Sequence, residues 1–297
     1  MTVREIIDGG AHLLVEGPDG EQVAVWEYAP PDVTRQVLPV TLVLAHGWTL
    51  DHTLWIPLIE RIQAEHNVRV IAYDQPGHGA TTLGKNPAAT IRSLGEVLKA
   101  VIDTTVPAGQ PVVLVGHSMG GMTIMAYAGA HPDEIGTRVK GVLMMGTSAG
   151  DLTRRRQALE TALMRVVQRG PMIPTGHFIT ARGQRSMLFG DRCKREDLAY
   201  VVGVMRSTPL PTLSRFYLAL MSHDEMEHLP VLAAVPTVVM CGGKDRLTST
   251  RHARRIHEAI RGSRLVIVPG AGHMLMFEAL DLLALELGAL LESVAVG

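Results

Sequence analysis

Short apolar runs recur along the chain, and segments long enough to form a helix separate them. The runs are rich in Val, Ile and Leu and cover residues 21–28, 40–45, 68–73, 111–116, 139–146, 235–242 and 264–270. From the second run onward they are almost uninterrupted, which is typical of strands covered on both faces. The clearest intervening helical patterns, with apolar side chains every three or four positions, lie at 55–66, 119–131 and 251–262. This alternation predicts an α/β fold whose mostly parallel, doubly wound sheet has about eight strands.

Residues 150–230 break the alternation, because they contain helical patterns but no convincing strand. The segment carries 12 Lys or Arg against 8 Asp or Glu, and it holds three of the four Phe and six of the 15 Met. A long helical insertion rich in flexible apolar side chains is typical of a lid over a binding site. We therefore predict a core formed by residues 1–149 and 231–297, with a helical lid at 150–230 inserted after the sixth strand. The alternative is that these helices only enlarge the core.

The composition argues against several classes of protein. The net charge is −1, so no excess of charge favours nucleic acid as a partner. Cys193 and Cys241 are too few for a disulfide framework, and a cytoplasmic location is expected. The first ten residues lack the apolar core of a signal peptide, and acidic residues interrupt the apolar stretch 274–297, so no integral membrane segment is expected. The histidines lack a zinc-binding spacing and no G-x-G-x-x-G follows the first strands, so neither a metal nor a cofactor is expected.

Polar side chains follow several predicted strands at the point where each strand ends. Ser118 follows the fourth run, in the pattern G-x-S-x-G, while Asp245 follows the sixth run and His273 the seventh. In open parallel sheets, ligands bind beyond the carboxyl ends of the strands. The sequence therefore predicts that a hydroxyl, a carboxylate and an imidazole lie at one edge of the sheet, in the chain order Ser, Asp, His.

Five motifs in this order resemble the α/β-hydrolase superfamily over essentially the whole chain. They are HGW (46–48), YDQPGHG (73–79), GHSMGG (116–121), GGKDRLTS (242–249) and GAGHMLMFE (270–278). Within the superfamily, the chain is most similar to lid-bearing serine esterases and lipases. The stretch HGWTLDHTLW (46–55) also resembles the cofactor-free perhydrolases.

The resemblance implies a role for each residue of the site. Ser118 is the nucleophile on a sharp strand-to-helix turn that Gly116 and Gly120 keep tight, His273 is its base, and Asp245 orients the imidazole. The oxyanion hole is then formed by the backbone N–H groups of Trp48 and Met119, the latter at the positive end of a helix. Pocket residues are expected to be Met122, Phe178, Phe216 and Met274.

Other polar residues near the motifs have alternative interpretations. Asp151 follows the strand exit at 139–146 and is an alternative acid, because geometry rather than position in the chain defines a triad. Asp74 and His78 are interpreted as residues that shape a loop near the site. His46 and His117 are interpreted as packing histidines beside it.

The expected function is hydrolysis of a small-molecule carboxylic ester or thioester with a medium or long apolar acyl group, through an acyl-enzyme on Ser118. A serine at this position argues against haloalkane dehalogenases and epoxide hydrolases, in which an aspartate is expected. The positive balance of residues 150–230 suggests an anionic group on the substrate. Acyl transfer, perhydrolysis, carbon–carbon cleavage or ligand binding without turnover are the alternatives, and no motif specifies an oligomeric state.

Overall fold

The computed structural model describes residues 11–32, 34–85, 89–152, 157–177 and 179–296, and eight strands in these ranges form one sheet. The strands are β1 Ala11–Glu16, β2 Gln22–Tyr28, β3 Thr41–Ala45, β4 Arg69–Tyr73, β5 Val112–His117, β6 Val139–Met145, β7 Thr237–Gly242 and β8 Arg264–Val268. Their spatial order is β1-β2-β4-β3-β5-β6-β7-β8. Pairs β1–β2 and β2–β4 are antiparallel and the others are parallel, so the predicted sheet is confirmed.

Helices cover both faces of the sheet. They are α1 Ile56–Glu65, α2 Ile91–Thr105, α3 Met119–Ala130, α4 Gln157–Val167, α5 Ala181–Leu188, α6 Arg195–Ser207, α7 Leu210–Ser222, α8 Thr250–Ala259, α9 Leu275–Glu278 and α10 Leu280–Val296. On one face, α1 and α10 pack on Leu42, Leu44 and the other side chains of that face. On the opposite face, α2, α3 and α8 pack on the alternate set, which includes Val43 and Ala45. Successive strand residues point to opposite faces of the sheet, and helices cover both faces. The side chains on both faces are therefore apolar, which explains the uninterrupted apolar runs in the sequence.

Helix α3 is apolar on all sides because it is enclosed on all sides. Residues 119–128 are all buried, between the sheet, α2 and the helices that follow β6. The helix follows β5 directly, with Ser118 as the single residue between them. A fully packed strand and a fully packed helix therefore hold Ser118 from both sides.

The helical segment predicted for residues 150–230 lies between β6 and β7, where α4 to α7 and two short 3₁₀ segments, Thr175–His177 and Met226–Ala234, are found. It contacts the loops at the carboxyl edge of the sheet. The Thr208 hydroxyl donates to the carbonyl of Thr49, 3.3 Å away, in the loop after β3. The carbonyl of Leu188 accepts a 2.7 Å hydrogen bond from the N–H of His273, in the loop after β8. We refer to residues 150–230 as the insertion.

In the part of the chain that the structure describes, no helix combines the length and the apolar character needed to cross a membrane.

Candidate active site

Ser118 occupies a strained turn between β5 and α3. Its φ is 53° and its ψ −114°, a conformation that costs a residue other than glycine of order 1–3 kcal/mol. Two contacts fix the turn: the Ser118 N–H donates to the carbonyl of Met145 at 2.9 Å, and the Thr147 hydroxyl donates to the Ser118 carbonyl at 2.7 Å. The Ser118 side chain does not cap α3, and its hydroxyl has no hydrogen-bond partner among the described residues. The turn therefore leaves the hydroxyl available for chemistry.

The two glycines of the G-x-S-x-G pattern are required by close backbone contacts. A Cβ on Gly120 would lie 1.9 Å from the carbonyl oxygen of Ala45, at the end of β3. A Cβ on Gly116 would lie 2.6 Å from the carbonyl carbon and oxygen of Gly120. Real Cβ atoms do not approach backbone this closely, so glycine at both positions lets α3 begin directly against the sheet.

Asp245 and His273 are joined by a short hydrogen bond. Nδ1 of His273 lies 2.8 Å from Oδ2 of Asp245, and both side chains are buried. Oδ1 of Asp245 accepts from the N–H of Leu247 at 2.8 Å and of Thr248 at 2.9 Å, and the Thr248 hydroxyl donates to Oδ2 at 3.0 Å. Burial alone would raise the pKa of Asp245, but the attraction of His273 and these hydrogen bonds outweigh it and lower the pKa below its usual value. An ionised carboxylate only accepts, so Nδ1 carries the proton and Nε2 is left as the basic nitrogen.

Asp151, the alternative acid, has different partners. Its Oδ2 accepts from Nη2 of Arg251 at 2.9 Å and from Nη1 of Arg255 at 3.0 Å. The geometry around His273 therefore favours Asp245 over Asp151 as the acid.

Glu278 anchors the loop that carries His273, a role that was not predicted from the sequence. Its buried carboxylate accepts from the N–H of Gly190 at 2.8 Å and from the N–H of Gly272 at 2.7 Å. The two glycines touch, because a Cβ on Gly272 would lie 2.5 Å from the nitrogen of Gly190. The available signal was a carboxylate within the apolar motif GAGHMLMFE, since a buried carboxylate needs partners.

A cavity of about 790 Å³ adjoins these residues. Ser118, His273 and Trp48 all border it, as do Met122 and Met274, two of the four expected pocket residues. The insertion supplies further apolar side chains, including those of Ile179, Met205, Leu213 and Leu220. Ser118 and His273 therefore line the same cavity, and flexible apolar side chains form most of the rest of its lining.

Comparison with known proteins identifies the family of the chain. The model of the Alpha/beta hydrolase family matches residues 42–286, most of the 297 residues of the chain. The chain belongs to the α/β-hydrolase family.

Relatives of this α/β-hydrolase include named enzymes. Over 251 residues, 82% of the chain, it is 26% identical to a pimeloyl-[acyl-carrier protein] methyl ester esterase of Neisseria meningitidis, of which the match covers 88%. Over 253 residues, 81% of the chain, it is 28% identical to the dihydrolipoyllysine-residue acetyltransferase component of an acetoin cleaving system of Pseudomonas putida. The match spans 60% of the length of that second protein.

Solved structures share the fold of this α/β-hydrolase. A thermophilic esterase from Thermogutta terrifontis superposes with a TM-score of 0.79 at 21% identity, covering 96% of this chain and 99% of that one. An enol-lactonase from Burkholderia xenovorans LB400 superposes with a TM-score of 0.76 at 23% identity, covering 95% of this chain and 100% of that one.

Met119 and Trp48, the expected oxyanion donors, lie at the start of α3 and in the loop after β3. Met119 is the first residue of α3, and Trp48 borders the cavity in the loop after β3. Within the described ranges, the N–H groups of both residues are without a hydrogen-bond acceptor. The residue after Trp48, Thr49, has a φ of 62°, so this loop is also held in a strained conformation.

Of the other two expected pocket residues, Phe216 is described by the structure and does not border the cavity. Phe216 is fully buried beneath it, packed in a cluster with Met119 and Met122, and its ring centroid lies 5.1 Å from that of His78. It faces this cluster because α7 turns that side toward α3. Phe178 lies outside the described residues.

The remaining polar residues of the motifs stabilise loops. Asp74 accepts from the N–H groups of His52 and Ala80, each at 2.7 Å. Burial lowers the pKa of His46 and of His117, so both rings are neutral. Nε2 of the His117 ring donates to the carbonyl of His273 at 3.1 Å, which steadies the loop of that histidine.

Proposed function

We propose that this chain is a serine hydrolase that cleaves carboxylic esters through an acyl-enzyme on Ser118. One observation carries the proposal: Ser118 sits on a strained turn that borders the same cavity as His273, whose Nδ1 is held by Asp245 at 2.8 Å. A serine needs a nearby base to become a nucleophile, and an imidazole oriented by a carboxylate is such a base. The relative named as a methyl ester esterase supports the same reaction class.

In the acylation step, Oγ of Ser118 attacks the ester carbonyl while Nε2 of His273 takes the hydroxyl proton. Asp245 stabilises the imidazolium that forms, and the N–H groups of Trp48 and Met119 stabilise the oxyanion. The imidazolium then gives its proton to the departing alcohol, which leaves an acyl group on Ser118. The missing hydrogen bond from Ser118 to His273 is compatible with this step, because catalytic contacts often tighten only when the substrate binds.

In the deacylation step, His273 takes a proton from water, and the hydroxide attacks the acyl carbonyl. Collapse of this second oxyanion releases the carboxylic acid, and the proton returns to Ser118. The proposed reaction thus converts an ester and water into an acid and an alcohol.

The proposed substrate carries a medium or long apolar acyl group. The support is the lining of the cavity by Met122, Met274 and apolar residues of the insertion, because flexible thioethers adapt to alkyl chains. The insertion, which contacts the loops after β3 and β8, acts in this proposal as the lid of the cavity.

Labelling with a fluorophosphonate probe tests the nucleophile, and p-nitrophenyl esters from acetate to palmitate test the acyl pocket. We expect the wild type to label and to cleave the medium and long esters best. Ser118→Ala should not label and should lose at least about 10⁴-fold in kcat. The control is Ser293→Ala, on the exposed side of α10, which should behave like the wild type.

The labelling and the ester assays can each contradict a different part of the proposal. Turnover that peaks at acetate would contradict the apolar acyl pocket, and a wild type that neither labels nor cleaves any ester would contradict the proposed hydrolase activity.

Adding methanol or hydrogen peroxide to the assay identifies the acceptor of the acyl group. Ester or peracid formed in place of acid would assign acyl transfer or perhydrolysis to the same residues.

A further inference from the structure

The cavity beside Ser118 has two chemically different walls. The wall formed by α3 and the insertion is mostly apolar, with Met122, Leu213 and Leu220 among its side chains. The other wall is formed by the loop after β7 and the first turn of α8. It presents Arg246, Arg251 and His252 to the cavity, together with Asp151 at the start of the insertion. An ester with a purely apolar acyl group makes no use of this second wall.

Arg246 brings a charge to the polar wall that no carboxylate of the described residues offsets. Its guanidinium donates to the backbone carbonyl of Ser186 on α5, which ties this side chain of the cavity lining to the insertion. In the part of the chain that the structure describes, no Asp or Glu lies within ion-pair distance of its guanidinium. A guanidinium carries five N–H donors, so most of them remain available to a ligand.

Arg251 is only partly neutralised. It shares Oδ2 of Asp151 with Arg255, so two guanidinium groups meet one carboxylate. His252 adds no charge, since burial and the two neighbouring arginines lower the pKa of its imidazole. The polar wall as a whole therefore has more positive than negative charge.

The other carboxylate at the cavity belongs to the opposite wall. Glu160 lies on α4 of the insertion and accepts a hydrogen bond from the Tyr217 hydroxyl at 2.5 Å. It forms no ion pair with the arginines of the polar wall within the described structure. The cavity thus has a positively charged side at the loop after β7 and a separate carboxylate, that of Glu160, on α4.

We propose that the polar wall is a carboxylate subsite, in which Arg246 and Arg251 bind the free acid end of a half-ester of a dicarboxylic acid. The ester end then lies at Ser118, and the alkyl chain lies along the apolar wall. Arginine suits this role because its planar guanidinium binds carboxylates through two parallel N–H groups. The inference rests on the proposed ester hydrolysis and narrows its substrate class to esters with a second, anionic end.

The test compares matched esters. Monomethyl esters of the diacids from succinate to sebacate are assayed beside methyl esters of the monocarboxylic acids of equal length. The proteins are the wild type, Arg246→Gln, Arg251→Gln, the double variant, and Arg254→Gln, an exposed arginine on α8 outside the cavity lining. We expect the wild type to prefer the half-esters at one optimal chain length, which measures the span from Ser118 to the arginines.

Each single variant at Arg246 or Arg251 should raise KM for the half-esters about tenfold and the double variant about a hundredfold, because a lost ionic hydrogen bond weakens binding by that order. The kcat for half-esters and both constants for neutral esters should stay near the wild-type values. Arg254→Gln should match the wild type throughout. Added salt should weaken the preference, since part of the wall is exposed.

Other results overturn the subsite. A wild type with equal KM for both series, or variants that affect neutral esters and half-esters alike, would contradict it while leaving ester hydrolysis intact. Calorimetric titration of the half-ester into Ser118→Ala and into the arginine variants of that protein measures binding without turnover. Binding that depends on the arginines, with no hydrolysis by the wild type, would support the subsite and contradict the proposed function.

Discussion

The carboxylate of Glu278 accepts a hydrogen bond from the N–H of Gly190, 2.8 Å away, and so joins the core to the insertion. Its second oxygen accepts from Gly272, the residue before His273, at 2.7 Å. One buried side chain therefore joins the insertion to the loop that carries the proposed base, in addition to the direct hydrogen bond from the N–H of His273 to the carbonyl of Leu188. The position of the imidazole and the position of the proposed lid are linked through this carboxylate.

Replacing this carboxylate by an amide should reduce turnover. In Glu278→Gln the amide oxygen accepts from one N–H, while the NH₂ group faces the other N–H without an acceptor. We expect kcat to fall by about 10- to 100-fold, because a charge-assisted hydrogen bond at the His273 loop is lost. Steady-state kinetics on a short and a long p-nitrophenyl ester measures this effect. Glu292→Gln, at an exposed position of α10, is the control, and equal kcat values for the two variants would contradict the positioning role.

Asp245→Asn should abolish most activity without unfolding the protein. An amide at this position donates or accepts, and it no longer holds the proton on Nδ1 of His273. We expect kcat to fall by about 10⁴-fold, as when a triad acid is replaced by its amide elsewhere. Parallel kinetics of Asp151→Asn compares the two candidate acids. A larger loss at Asp151 than at Asp245 would identify Asp151 as the acid.

The sequence predicted those parts of the molecule that are specified by residues close together in the chain. The run 111–116, the spaced glycines and the apolar α3 lie within 20 residues and specify the turn at Ser118 directly. Asp245 and His273 were predicted to lie at one edge of the sheet because both follow parallel strands. In the structure, Nδ1 of His273 lies 2.8 Å from Oδ2 of Asp245. The alternation of seven apolar runs with helical segments predicted a mostly parallel sheet of about eight strands, and seven of the eight observed strands match those runs.

Features that depend on distant contacts could not be predicted. Strand β1, at the edge of the sheet, reads AHLLVE and buries only Val15 fully, so its apolar stretch of three residues is shorter than the runs of the covered strands. The two hydrogen-bond donors to Glu278 lie 88 and 6 residues away in the chain, and no pattern around Glu278 predicts which residues they are. Phe216 was expected in the pocket from its place in the insertion, but composition does not determine which side of α7 faces the cavity.

Stability should fall as the solution becomes acidic, in part because of His78. Burial, together with the neighbouring His46, lowers the pKa of its imidazole from 6.5 to about 3. Below pH 6.5 the unfolded chain binds a proton here and the folded chain does not until about pH 3. The stabilising contribution is therefore complete above pH 6.5 and is lost progressively as the pH falls toward 3.

Urea unfolding at several pH values checks this expectation. Between pH 4 and 6, His78→Gln should reduce the dependence of the unfolding free energy on pH by about 1.4 kcal/mol per pH unit, the value for one proton. His12→Gln, at an exposed position on β1, is the control. An unchanged slope in His78→Gln would mean that the folded protein also protonates His78 in this range.

The contact between Gly120 and Ala45 should make the start of α3 intolerant of any side chain. In Gly120→Ala the new Cβ would lie 1.9 Å from the Ala45 carbonyl oxygen, and both groups belong to packed backbone that has no room to move. We expect the free energy of unfolding to fall by about 3 kcal/mol or more. Labelling of Ser118 by a fluorophosphonate should also be lost, because separating α3 from β3 moves the turn.

A glycine in open space provides the matched comparison for this prediction. Gly203 lies within α6, and a Cβ there would meet no atom within 4 Å. Gly203→Ala should stabilise the protein by up to about 1 kcal/mol, since alanine is the better helix former. If Gly120→Ala instead unfolded at the same denaturant concentration as wild type and labelled normally, the backbone contact at Ala45 would not be what fixes the Ser118 turn.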